Sequence, residues 1–286
     1  MSKKLTKVEF TNLKKIIFPD LKTTKSQIIE YYITVAPKML GFLLDRLLVL
    51  KRFPDGINEE GFYEKNAPQG TPSWVKTKKV RSETAKRDVN YILCNDLDTL
   101  IWLANLATIE IHIPFSKADS REKPDMMFFD VDPEPPATYK DAARVALLLK
   151  RQLDEMGLEC YVKTSGKEGF HVVIPIVQEY SFQETRTFVH KIGQQLAKEK
   201  ELVVSEFAET KRLGKVFVDY LQNSHGRTMV SPYSLRAVPE ATVSTPLEWT
   251  EVEKGIKPTD FNIFSVVKRD KDPWKKIFEN KQRLMV

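Results

Sequence analysis

The chain has 286 residues, with 45 Lys and Arg against 39 Asp and Glu, a net charge of +6 and 42% hydrophobic residues. That composition excludes wholesale disorder; no apolar run approaches the roughly 18 residues of a membrane span, and no signal-peptide core follows the lysine-rich start. Two cysteines, Cys94 and Cys160, exclude a disulfide framework or a Cys-based zinc site, so a reducing cytoplasm is expected.

From the N-terminus, residues 1–27 carry seven lysines (3, 4, 7, 14, 15, 22 and 25) against Glu9 and Asp20. The spacing of Thr24 and Gln27 predicts a capping box, opening a helix with Ile28, Ile29, Tyr32 and Ile33 at helical spacing. Lys25 then falls in the first turn, beside free backbone N–H groups and the positive dipole end, a ready anion site. Residues 52–73 are rich in Gly, Pro, Asn and Glu and read as a long irregular loop. Within it the adjacent Phe62 and Tyr63 either tuck onto the core or offer stacking faces to bases. A second basic cluster follows: Lys76, Lys78, Lys79, Arg81, Lys86 and Arg87 against Glu83. Residues 98–106 read as a short apolar helix and 109–114 as an alternating strand. The third cluster runs from Ser265, with Lys268, Arg269, Lys271, Lys275, Lys276, Lys281 and Arg283 among acids. Any one cluster fits a solvated face, but three in one chain favour a phosphate-rich partner.

The middle of the chain is the most legible. Residues 125–132 (DMMFFDVD) read as a buried strand stopped by Pro133. Thr138 caps a helix to Met156, with Asp141 at the fourth position and Gly157 at its end. Residues 159–164 form a second strand, 165–169 a turn and 170–176 a third strand. Ser181 and Glu184 box a second helix through about Lys198, and residues 215–221 close the series, with an extra strand near Val203. The order strand–helix–strand–strand–helix–strand is the ferredoxin-like, or RRM-like, split βαβ pattern.

Asp130 and Asp132 are one residue apart on the first of these strands and so share a face. Two carboxylates there are costly unless cations compensate them. A D-x-D pair taken alone fits a strand end fraying into solvent, but the apolar run 126–129 puts this one at the end of a core strand. Asp219 interrupts the last strand, and in the split βαβ arrangement the first strand lies between the third and the last. Asp130, Asp132, His171 and Asp219 are thereby expected on neighbouring strands. Hard oxygen ligands without thiolates suit Mg²⁺ or Mn²⁺, and a two-metal site handles phosphoryl chemistry. The turn of Ser165, Gly166, Lys167 and Gly169 can present N–H groups to phosphate oxygens, although alone it fits a plain hairpin. Arg236 can clamp a triphosphate bidentately.

Five segments, FFDVDP (128–133), KTSGKEGFHVVIP (163–175), VFVDYLQN (216–223), SPYSLRA (231–237) and VSTPLEW (243–249), resemble in order and spacing the polymerase domain of bacterial ligase D, of the archaeo-eukaryotic primase superfamily. Upstream matches (KKIIFPD, TTKSQIIEYY, KRFP, GFYEKNAP and IEIHIP) extend the resemblance over nearly the whole chain. It implies an α+β, archaeo-eukaryotic primase-like fold: a split βαβ palm with a second sheet and flanking helices. The expected organisation is a single compact domain over 1–286, with a DNA-end-binding part at 1–120, a catalytic palm at 121–250 and a basic C-terminal tail at 251–286. It implies that Asp130, Asp132 and Asp219 bind two catalytic divalent ions, Mn²⁺ or Mg²⁺. His171 and Arg236 would engage the incoming triphosphate, with Ser165, Lys167, Gln222 and His112 also at the nucleotide. Lys15 and Lys25 would grip the 5′-phosphate at a DNA gap or break. Arg52, Phe62 and Tyr63 would pack against the template strand, and Arg212 would be a mobile-loop arginine. A Ser165 hydroxyl pairing with the ribose 2′-OH would favour NTPs over dNTPs, whereas serines in turns usually satisfy backbone groups.

The function implied is a template-dependent nucleotidyltransferase that fills gaps and extends ends in non-homologous end joining, preferring ribonucleotides, in the nucleoid-associated cytoplasm, with Ku and a DNA ligase as partners. Two departures stand out. The family commonly has a lysine three residues after the serine of the turn, where this chain has Glu168, with Lys167 one position earlier. The chain also contains no K-x-D-G ligase motif; no ligase domain is expected, and Met1 favours a stand-alone polymerase over an excised domain. The alternatives are a replicative-type primase of the same superfamily, a non-catalytic RRM-like nucleic-acid-binding module, whose sheet face would carry stacking aromatics rather than carboxylates, and a metal-dependent nuclease.

Overall fold

The computed structural model describes residues 6–82, 86–206 and 212–284. Lys3 and Lys4 of the first basic cluster and Glu83 beside the second lie outside the described residues. The chain opens with a small hairpin, β1 (Ile16–Phe18) and β2 (Thr23–Thr24), followed by the long helix α1 (Lys25–Leu43). The expected capping box is formed: Thr24 accepts from the Gln27 backbone and donates its own N–H to Gln27 Oε1 at 2.8 Å. Ile28, Tyr32, Val35, Met39 and Phe42 make the buried stripe. Tyr32 Oη reaches the Ile109 carbonyl at 2.7 Å and fixes the helix against the second sheet.

Next come β3 (Val49–Arg52), β4 (Phe62–Glu64), the hairpin β5 (Thr77–Ser82) and β6 (Arg87–Ile92), then α2 (Leu97–Asn105) and β7 (Thr108–Pro114). The reading of 52–73 as wholly irregular is corrected by β4, which pairs with β3 so that Arg52 faces Phe62 and Lys51 faces Tyr63. Pairing overrides composition over these three residues, and the two adjacent aromatics point to opposite sides of the ribbon.

The palm follows as β8 (Met126–Pro133), α3 (Tyr139–Glu155), β9 (Tyr161–Thr164), β10 (Phe170–Pro175), α4 (Phe182–Glu199), β11 (Val203–Val204) and β12 (Val216–Asp219). The chain then adds β13 (Thr228–Val230), β14 (Pro246–Leu247) and α5 (Trp249–Glu253). The palm sheet runs β11-β12-β8-β10-β9-β14, with β8 between β10 and β12 as the split βαβ pattern requires. A second sheet runs β13-β7-β3-β4. Helix α3 lays Ala142, Val145, Ala146, Leu149 and Leu153 against the palm, and Gly157, at φ +71°, turns the chain out of its end.

Arg46 joins the two halves. It is fully buried, donates through Nη2 to both Asp125 oxygens at 2.7 and 2.9 Å, and through Nε and Nη1 to the Phe42 and Pro114 carbonyls. The ion pair anchors the exit of α1 to the entry of β8, two places 79 positions apart. The segment after Ser265 packs back onto the palm through buried Trp274, whose Nε1 donates to the Val162 carbonyl at 3.0 Å. Two of its basic residues are paired, Arg269 with Glu251 and Arg283 with Glu179.

Candidate active site

Strand register builds the site. Asp219 of β12 pairs with Asp130 of β8, Asp130 with His171 of β10, and His171 with Lys163 of β9. Directly opposed residues share a face, so Lys163, His171, Asp130 and Asp219 form one transverse row across four strands. Asp132, two residues beyond Asp130, stands on the same face opposite Phe217. The row grades from a buried lysine at one end to paired carboxylates at the other.

The acids repel one another. Burial and then the charge of Asp219 lift the Asp130 carboxyl to about 7, and the charge of Asp130, then burial, raises Asp132 well above its ordinary value. Asp130 Oδ1 is buried and accepts no hydrogen bond, and His171 Nε2 stands 3.2 Å from it. Asp219 is buried; it accepts from the Leu221 N–H at 2.8 Å and from Gln222 Nε2 at 3.2 Å. Asn223, one residue further, clasps the Phe128 peptide with both ends of its amide, at 3.0 and 2.7 Å, and locks this turn onto β8.

These residues fit divalent metal ions. The donor set is all oxygen, one buried carboxylate oxygen is unpartnered, and a Cβ at Gly169 would stand 2.5 Å from Asp132 Oδ1, so glycine keeps that carboxylate's surroundings open. Among the described residues no three His, Cys, Asp or Glu side chains form a preassembled metal cage. The acids are neighbours in register, and cations would supply the compensation they lack.

At the other end of the row, Lys163 Nζ lies 2.8 Å from His171 Nδ1 and 2.5 Å from Ser244 Oγ. Burial, then Lys163 and Arg236, push His171 well below its ordinary pKa. Arg236 donates to the Ser165 carbonyl at 2.8 Å and pairs with Glu110 at 3.4 Å. Glu110 also meets His112 Nε2 at 2.9 Å. Burial opposes its ionisation, but the hydrogen bond from His112 and the charge of Arg236 outweigh it and hold the carboxyl at about 2. Ser165 is buried and its Oγ accepts from the N–H groups of Lys167 and Gly169, both at 3.2 Å, so the hydroxyl organises the turn. Lys167 is exposed at the tip of that turn. Gly166 sits at φ +77° with a would-be Cβ 2.5 Å from Arg236 Cγ, which seats the turn directly on the arginine.

Tyr63, His112 and Gln222 line one cleft of about 300 Å³, with the Tyr63 and His112 rings 5.9 Å apart, edge to face. Phe62 and Tyr63 are both exposed, with the Arg52 guanidinium over Phe62 at 5.3 Å and Lys51 over Tyr63 at 5.4 Å. Arg52 is otherwise tied to Glu64 at 2.8 Å and to the Leu106 carbonyl at 3.0 Å. Arg212 stacks on Phe217 at 3.6 Å, one strand from Asp132.

Lys15 and Lys25 lie apart from the row. Lys25 is buried, donates to Thr11 Oγ1 and the Asn105 carbonyl, and has its pKa lowered by burial and by Lys15. Lys15 pairs with Asp55 at 2.6 Å. The expectation of free N–H groups at the start of α1 is corrected: those of Lys25, Ser26 and Gln27 donate to Lys15 O, Leu13 O and Thr24 Oγ1. Any anion there is left to the ammonium groups.

Lys163, Ser244, Glu110 and Asn223 were not anticipated from the sequence as site residues. The available signals were a lysine inside an otherwise apolar strand and a glutamate two residues before His112.

The ligase D primase-polymerase domain family matches residues 24–274. The chain is 36% identical over 267 residues to the bifunctional non-homologous end joining protein LigD of Bacillus subtilis, covering 93% of this chain and 43% of that protein. It is 30% identical over 249 residues to the multifunctional non-homologous end joining protein LigD of Mycolicibacterium smegmatis, covering 86% of this chain and 32% of that one. The chain thus spans less than half the length of these relatives. Among solved structures, the polymerase domain of Mycobacterium tuberculosis ligase D in complex with DNA superposes with a TM-score of 0.89 at 28% identity, covering 97% of this chain and 100% of that domain.

Proposed function

This chain belongs to the ligase D primase-polymerase domain family, and from that premise we propose that it is a template-directed nucleotidyltransferase that fills gaps and extends broken ends in non-homologous end joining. The observation that carries this is the register row of Asp219, Asp130, His171 and Lys163, with Asp132 beside it. Acids at one end suit cations and a nucleophile; neutral and cationic donors at the other suit phosphates.

In the proposed reaction a primer 3′-hydroxyl attacks the α-phosphate of a bound nucleoside triphosphate, and pyrophosphate leaves. Asp130, Asp132 and Asp219 would hold two divalent ions, Mn²⁺ or Mg²⁺, which when bound supply Lewis-acid activation and charge neutralisation. Arg236, held by Glu110 and the Ser165 carbonyl, and His171 face the triphosphate as preset donors that need no rearrangement. Lys167 and Gln222 flank the nucleotide, and His112 holds Glu110 against Arg236. Phe62 and Tyr63, exposed on opposite sides of β4, give the template bases stacking faces.

Lys15 and Lys25 are the proposed 5′-phosphate grip, and Arg52 and Arg212 the supports of the template and palm edges. A ribonucleotide preference and joint action with Ku and a ligase follow from the same family premise. The Ser165 hydroxyl keeps a proton to offer a ribose 2′-oxygen while accepting from its turn. A labelled gapped duplex incubated with NTPs and Mn²⁺ tests the whole: lengthened primer supports nucleotidyl transfer, shortened strands would mean a nuclease, and unchanged DNA a binding module.

A further inference from the structure

A wholly buried lysine needs a reason, because desolvating an ammonium is strongly unfavourable without acceptors. Lys163 is 0% exposed, and its two close partners are Ser244 Oγ and His171 Nδ1. The Ser244 hydroxyl donates to the Thr164 carbonyl at 2.8 Å, so toward Lys163 its oxygen accepts. Lys163 therefore donates in that direction. Burial and then the charge of Arg236 pull its pKa well below the ordinary lysine value, against the pull of Asp130. As ammonium or amine it keeps a further N–H for the imidazole. At His171 the nitrogen facing that N–H, Nδ1, is the acceptor, since the other ring nitrogen faces a carboxylate oxygen. The proton of a neutral ring then resides on Nε2, which stands 3.2 Å from Asp130 Oδ1. The opposite tautomer would set an N–H against the lysine's own N–H groups and a bare nitrogen against a carboxylate. The Phe128 ring, edge to face at 5.1 Å, packs against the imidazole.

We propose that Lys163 is a positioning residue: through Nδ1 it fixes His171 in the Nε2–H tautomer, which presents a neutral hydrogen-bond donor to the nucleotide phosphates. The chain of donors runs from Lys163 Nζ, braced by Ser244 and the Thr164 carbonyl, through the imidazole toward the acids of the same row. Arg236 already supplies full positive charge there; His171 adds direction. The phosphate addressed by Nε2 is that of the nucleotide site proposed above, whereas the tautomer is measured on the full chain without nucleotide, so the two fail separately.

The test is a long-range proton–nitrogen correlation spectrum of the ¹⁵N-histidine-labelled chain near neutral pH. His171→Asn identifies the signal among the four histidines. Wild type should give Nε2–H with a bare Nδ1. Lys163→Met, of similar length and without a donor, should give mixed tautomers and raise the KM for the nucleoside triphosphate about five- to tenfold, the worth of one hydrogen bond, with a smaller change in kcat. Ser244→Ala should shift both readouts the same way by less. An Nδ1–H signal in the wild type overturns the assignment, as does an unshifted tautomer in Lys163→Met or a shifted one with unchanged KM. Should Lys163→Met not fold, the wild-type spectrum and Ser244→Ala decide by the same criteria.

Discussion

Replacing Asp130 by Asn should make the metal-free protein more stable. The Asp130 carboxyl is raised from 3.8 to about 7, by burial first and the charge of Asp219 second, against the smaller pull of Lys163 and Arg236. An acid whose folded pKa is raised contributes stability that is full below about pH 4 and is lost as pH climbs through about 7. About three units at 1.36 kcal/mol each set a ceiling of about 4 kcal/mol on that loss. Side-chain adjustment along the row brings the expected gain for Asp130→Asn to about 1–2 kcal/mol, or roughly 2–6 °C in Tm for a chain of this size. Below about pH 4 the two proteins should converge, since Asp is then protonated in both states and Asn mimics it. Thermal or urea unfolding of both proteins in EDTA, from about pH 4 to 8, measures the difference. Adding Mn²⁺ should narrow the gap by stabilising the wild type alone, since only its native state retains the full acid set. A variant less stable at neutral pH, or a difference that does not grow with pH, would refute the electrostatic account of the row.

Three further outcomes are expected. Arg46→Ala strands the Asp125 carboxylate in the core and should cost about 3–5 kcal/mol of unfolding free energy by denaturant titration; a loss under about 1 kcal/mol would mean that the pair is not buried in solution. Gly169→Ala places a Cβ 2.5 Å from both Asp132 Oδ1 and the Val131 carbonyl, so nucleotide addition should collapse with a stability loss of about 1–3 kcal/mol, and near-normal activity would place Asp132 outside the chemistry. Gapped DNA with a 5′-phosphate should bind tighter than its 5′-hydroxyl counterpart by about 1–3 kcal/mol, a difference lost in the Lys15→Ala, Lys25→Ala double variant; equal wild-type affinities would remove the phosphate grip.

The acid row was legible in the sequence because two rules converge on it. The period of two puts Asp130 and Asp132 on one face, and the split βαβ order makes β10 and β12 the neighbours of β8. The capping boxes at Thr24, Thr138 and Ser181 were legible because their signals lie within one turn. What sequence could not give depends on distant partners. Nothing within its own strand shows that Lys163 is buried between β10 and the Ser244 segment, and the Arg46–Asp125 pair spans 79 positions. The N–H groups at the start of α1 look free until the preceding turn supplies the carbonyls of Leu13 and Lys15. Strand β4 was hidden by a loop-like composition, because its order comes from pairing with β3.

Nucleotide addition by Asp219→Ala, measured on a 5′-phosphorylated gapped duplex alongside DNA affinity, tests the central claim most directly. Asp219 faces Asp130 in register and touches no residue of the proposed 5′-phosphate grip. The expected result is loss of activity by about a thousandfold or more, the scale of removing a main electrostatic contributor to transfer, with DNA affinity and folding close to wild type. Retention of more than about a tenth of wild-type activity, less than 1.4 kcal/mol of barrier, in a folded, DNA-binding variant would contradict the assignment of the row as the catalytic centre.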